Sequence, residues 1–90
     1  MAKFTKNSYK LSIVIPTLGG EQLNNTILAI QQSTLLPDEI LVCLPESNEL
    51  FLNHSLLDTV KIIRTRERGQ VLQRSIGFAE SEGDFVLQLD

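Results

Sequence analysis

The 90-residue chain has no Lys or Arg between positions 11 and 60, a single cysteine, and no long apolar run. Each absence excludes something. A membrane-spanning helix needs about 18 or more consecutive apolar residues, and none is present. One cysteine cannot form an internal disulfide. Cys43 lies inside the apolar run "LVCL", reads as a small buried residue, and suits a reducing cytoplasm. The opening "MAKFTKNSYK" is polar and basic with no apolar stretch behind it, so it reads as a polar N-terminal tail over residues 1–10 and not as a secretory signal. A net charge of -3 argues against nucleic acid as a partner.

What is there fits one small domain over residues 11–90. Apolar residues make up 42% of the chain and charged ones 21%, the balance of an ordinary globular protein. The charges are segregated. Glu21, Asp38, Glu39, Glu46, Glu49 and Asp58 precede a basic segment of Lys61, Arg64, Arg66, Arg68 and Arg74, in which Glu67 is the one acid. Such a segment is either a solvated basic face or an anion site, since Arg suits phosphate and carboxylate.

The periodicity alternates between strand and helix. "KLSIVIP" reads as a strand with almost no polar alternation, which implies cover on both faces, as in a parallel sheet. "TLGG" is a turn. Leu23, Ile27 and Ile30 recur at helical spacing between Glu21 and Gln32, with Glu21 in the first turn where the helix dipole favours an acid. "EILVCL" is a second strand and "VKIIRT" a third, with a short irregular helix between them. A last helix is expected over Gln70–Ser81, with Val71, Leu72, Ser75, Ile76 and Ala79 on one face, followed by a fourth strand, "FVLQL". Strands alternating with helices imply an α/β fold with a mainly parallel sheet. Ligands of such sheets bind beyond the carboxyl ends of the strands, here Pro16–Thr17, Leu44–Ser47, Thr65–Gly69 and Asp90.

Several chemistries lack their residues. "LGGEQL" is not a dinucleotide fingerprint, no phosphate-binding loop of the G-x-x-x-x-G-K type occurs, and no serine stands in a nucleophile elbow. His54 has no cysteine or second histidine near it to form a metal site and reads as a surface or packing residue. Composition and spacing alone lead to an arginine-rich rim with a carboxylate, Asp90, at the end of the fourth strand.

Taken together, "LSIVIPT", "EILVC", "VKIIR" and "RGQVLQRSIGFAESEGDFVLQLD" resemble the N-terminal half of a family 2 glycosyltransferase. The usual pattern in that family runs N-R-G-x-x-x-A-R-N-x-G and then G-D-[YF]-[IV]-x-[FL]-L-D-x-D. Gly69, Arg74, Gly77, Gly83, Asp84, Phe85 and Asp90 fall at its spacing. The resemblance implies a GT-A fold, a Rossmann-like three-layer α/β/α arrangement whose sheet has the order 3-2-1-4. It implies a nucleotide-diphosphate sugar as partner, a UDP-sugar by default, with the sugar passing to an acceptor hydroxyl. Pro16, Thr17, Glu21, Glu46 and Arg74 match nucleotide-sugar-binding positions. Asp90 matches the first carboxylate of D-x-D, which contacts ribose and helps place a divalent cation, magnesium or manganese.

Two departures from the pattern matter for the site. Leu44-Pro45-Glu46 replaces the aspartates after the second strand, with Glu46 as a late substitute, and Ser75 replaces an asparagine. The motif also stops at Asp90, so the second carboxylate, the acceptor region and the general base lie outside the chain. The resemblance therefore implies a donor-binding half, inactive alone, of a parent whose membrane association would come through other regions. An uncovered strand over residues 85–89 would favour self-association. The alternative is a non-catalytic α/β module that binds a nucleotide or a protein. A receiver-like domain is disfavoured by Pro16-Thr17, where acids would be needed.

Overall fold

The computed structural model describes residues 9–34 and 36–89. Four strands and three helices alternate: β1 (Leu11–Pro16), α1 (Gln22–Gln31), β2 (Glu39–Pro45), α2 (His54–Leu57), β3 (Lys61–Thr65), α3 (Gln70–Glu80) and β4 (Phe85–Gln88). All pairings are parallel, as the alternation of strands and helices predicts, and the spatial order is β3-β2-β1-β4, the order expected from the resemblance.

The uninterrupted apolar runs have the expected cause. In β1 and β2 both parities are buried. Ile13 and Ile15 join Ile40, Val42 and Leu44 in one cluster with Leu23, Ile27 and Ile30 of α1 and Leu56 of α2. Val14 joins Leu41 and Cys43 in a second cluster, with Ile63 of β3 against it. Ile13 pairs in register with Ile40 and Val14 with Leu41, so each layer is contiguous across the two strands. Burying a side chain such as Ile27 completely stabilises by about 1.5–3 kcal/mol.

The outer strands differ from this and from each other. β3 presents Lys61 and Arg64 to solvent, a charged edge that discourages pairing with another chain. β4 presents Phe85, Val86 and Leu87, with Phe85 57% exposed and its ring 5.5 Å from that of Tyr9.

Helix α3 corrects the sequence expectation about its buried face. Its buried residues are Gln73 and Gly77, while Val71 is 67% exposed and Leu72 and Phe78 also face outward. Two causes combine. Gly77 lies directly over Val14 and Cys43, where only a residue without a side chain fits. Gln73 is drawn inward by carbonyl groups described below. Apolar periodicity registers neither. In α1 the helix starts at Gln22, so Glu21 sits at the N-cap and not within the first turn, and its side chain makes no capping bond.

The amino ends of the strands are fixed by carboxylates. The Leu11 amide donates to Asp38 Oδ2 (2.7 Å) while the Asp38 amide donates to the Leu11 carbonyl (2.8 Å). Lys10 and Asp84 repeat the exchange on the other side, at 2.9 and 2.7 Å. These reciprocal pairs hold the start of β1 in register with β2 and β4.

Glu39 completes the knot, accepting from the Ser12 hydroxyl, the Glu82 amide (2.6 Å) and Lys61 Nζ (3.2 Å). Burial pushes its carboxyl up, but the Glu82 amide, the Ser12 hydroxyl and Lys61 outweigh it, so the group sits below its ordinary value of 4.5. Lys61 is half exposed and is the lesser partner. A depressed folded-state value means stability that is complete above the unfolded value and lost as pH falls through the folded one. Urea-unfolding midpoints are therefore expected to fall as pH drops below 4.5, and less steeply in Glu39→Gln. The same acid dependence in both chains would remove Glu39 as its source.

Candidate functional site

The site is built where the carboxyl ends of the strands meet the loop from β1 to α1. Thr17 continues β1 by one bond, its amide donating to the Cys43 carbonyl at 2.9 Å. Its hydroxyl then accepts the Gly19 amide at 3.1 Å. Gly19 has φ 90°, in the left-handed region, and this turns the chain back toward α1. Two distant residues hold the turn: Asn48 Nδ2 donates to the Leu18 carbonyl (3.0 Å) and the Phe51 amide to the Gly19 carbonyl (2.8 Å).

On one side of this loop lies a cavity of about 400 Å³, lined by Pro16, Thr17, Leu18, Arg68, Gly69, Gln70 and Gln73. It sits between the end of β1 and the start of α3. Among the described residues Arg68 is the one charged residue in the wall, and its guanidinium has no hydrogen bond or ion pair to them. Among the described residues no carboxylate lines the cavity. On the other side of the loop a wider depression of about 920 Å³ is lined by Glu21, Gln22, Asn24, Asn25 and residues 50–53. Asn24 shapes it: Nδ2 donates to the Glu21 and Phe51 carbonyls and Oδ1 accepts the Asn53 amide.

The candidate residues therefore divide. Pro16 and Thr17 line the cavity. Glu21 faces the other depression, across the loop. Glu46 is exposed just past the end of β2, its amide bonded to the Thr65 carbonyl at 2.7 Å. Arg74 does not line the cavity; Nη1 donates to Gln88 Oε1 at 2.9 Å, which places it beside the end of β4. Asp90 lies outside the described residues, and with it the cation and ribose roles given to it. Among the described residues no three His, Cys, Asp or Glu side chains gather into a metal-binding group.

The basic segment also divides. Lys61 pairs with Glu39 at the opposite end of the sheet. Arg64 Nη1 donates to the carbonyls of Pro45 (3.1 Å) and Asn48 (2.6 Å) and so ties down the loop after β2. Of the five bases, Arg68 is the one that reaches the cavity wall.

Gln73 was invisible in the sequence as a site residue. It is 2% exposed. Its Nε2 donates to the carbonyls of Thr17 (2.9 Å) and Cys43 (2.8 Å), and its Oε1 accepts the Gly69 amide (3.2 Å). One signal was available: the pattern this segment resembles carries alanine at that place. Among the described residues no helix is long and apolar enough to cross a membrane. Comparison of the chain with protein-family models, with curated proteins and with solved structures finds no match.

Proposed function

We propose that the chain is the nucleotide-binding half of a GT-A-type glycosyltransferase. In this reading the sheet and its helices form the three-layer donor-binding portion, and a parent protein transfers sugar from a nucleotide-diphosphate donor. The observation that carries it is the cavity at the carboxyl end of β1 with an unpartnered arginine in its wall. In a sheet of order 3-2-1-4 the connections reverse direction at β1, and ligands of open α/β sheets gather at that switch point. Thr17 offers a hydroxyl proton, Gln70 a carboxamide and Arg68 a charge to a diphosphate.

The divalent cation of the resemblance is a separate matter. Among the described residues the cavity wall carries no carboxylate, and Asp90, to which the cation was assigned, lies outside them, so no step is assigned to a cation.

The test is calorimetric titration with uridine, cytidine, adenosine and guanosine diphosphates, with and without manganese. Binding of at least one is expected. Arg68→Ala should weaken it by about 1.5 kcal/mol, roughly tenfold, the low end for a hydrogen bond to a charged group because Arg68 is exposed. Arg66→Ala, which does not line the cavity, should change little. Equal losses in the two variants would replace a site with a diffuse basic surface.

A further inference from the structure

We propose that Gln73 is the positioning residue of the cavity, and that nucleotide affinity depends on the protons of its carboxamide. The proposal rests on the nucleotide reading above. Every other residue of the wall is either bonded to the Gln73 side chain or adjacent in sequence to one that is. Thr17 accepts from it and is flanked by Pro16 and Leu18; Gly69 donates to it and is flanked by Arg68 and Gln70. The bond to the Cys43 carbonyl anchors the same side chain to β2. One amide thus holds three chain segments at fixed separations around the cavity, and its own main-chain N–H bonds the Gly69 carbonyl at 2.9 Å.

A buried glutamine is stable there because donors and acceptors all match. Both Nε2 protons point at carbonyl oxygens, and the oxygen faces an N–H. Gln73→Glu keeps the shape but turns an oxygen anion toward two carbonyl oxygens. Burial and those dipoles raise the variant carboxyl, and its neutral form regains a donor to one carbonyl while still accepting from Gly69. The other charged or titratable groups on the elements around it are few. On its own segment Arg68 and Arg74 flank it, with Glu67 before the helix and Glu80 at its far end. Glu39 and Lys61 are paired at the far end of the sheet, and Arg64 is committed to Pro45 and Asn48. The Cys43 thiol is pushed up to about 11 by burial and stays neutral.

The experiment measures nucleoside diphosphate affinity of the wild type and Gln73→Glu from about pH 5 to about pH 8, as a ratio at each pH so that titration of the phosphate cancels. The ratio is expected to be closest to one at the acid end, where one of the two donated bonds returns, and to fall by about tenfold or more at the alkaline end, with helical content unchanged. Equal affinity at the alkaline end overturns the proposal. So does a loss that acid does not reverse, which would make Gln73 a packing residue only. If Gln73→Glu unfolds at high pH, Gln73→Met, similar in size but without protons, replaces it. A folded Gln73→Met with wild-type affinity also overturns the proposal, and a loss of about tenfold supports it. Failure of the wild type to bind any of the four diphosphates would instead bring down the nucleotide reading, and this proposal with it.

Discussion

Gly77→Leu is expected to leave the chain unfolded at room temperature. A Cβ built on Gly77 would stand 2.5 Å from Val14 Cγ1 and 2.8 Å from Cys43 Sγ. Both neighbours are fully buried on the two inner strands and have no room to retreat. One or two extra methylenes in a packed core already cost about 1–3 kcal/mol. A leucine adds four carbons, so α3 would have to lift from the sheet and expose Val14, Leu41 and Cys43. Each large side chain so exposed costs about 1.5–3 kcal/mol. The total rivals the ~5–13 kcal/mol that a domain of this size has to lose. Gly77→Ala is the graded version. It gains up to about 1 kcal/mol of helix propensity and loses more than that to the clash, for a net destabilisation of about 1–2 kcal/mol. Urea unfolding followed by circular dichroism measures both. A Gly77→Ala chain more stable than wild type would mean that α3 rides higher over β1 than described.

Gly19→Ala should be the most damaging single-methyl change in the rim. At φ 90° a residue with a side chain is strained by about 1–2 kcal/mol. The new carbon would also run into the main-chain oxygen of Glu49, with Leu44 Cδ1 only 3.1 Å away. Backbone cannot yield as a side-chain tip does, so the loop must move. That breaks the bonds from Gly19 to Thr17 and Phe51. A loss of roughly 3 kcal/mol is expected, since strain and a hydrogen bond of about 1 kcal/mol add. Because Thr17 and Leu18 line the cavity, nucleotide affinity should fall with stability. Gly20→Ala is the control: nothing lies within 4 Å of a Cβ there, and both quantities should hold. Parallel thermal melts and titrations decide it, and an unchanged Gly19→Ala would show that the turn does not govern the cavity.

Much of the frame was legible because its causes are local and periodic. "SIVI" and "ILVCL" could only be strands covered on both sides, and the alternation with helices led to a parallel sheet. The placement of Pro16 and Thr17 at the cavity followed from topology. The rest depended on contacts that no local window contains. Glu21 is four residues from Thr17, yet a left-handed turn at Gly19, held by Asn48 and Phe51, sends it to the other side of the loop. A count of bases gives no distances, so Arg64 looked like a ligand for anions when it is committed to two carbonyls. In α3, hydrophobicity pointed to Val71 and Leu72, but close approach at Gly77 and three hydrogen bonds to Gln73 set the rotation of the helix.

The same seam gives the molecule a built-in reporter. Cys43 is 0% exposed, its thiol is neutral over the physiological range, and Gly77 covers its sulfur. A thiolate is the species that reacts with alkylating reagents, and it can form only when the sulfur meets water. Labelling of the native chain is therefore gated by separation of α3 from the sheet. With one thiol in the chain, its labelling rate under native conditions reads the free energy of that single opening, without any introduced probe.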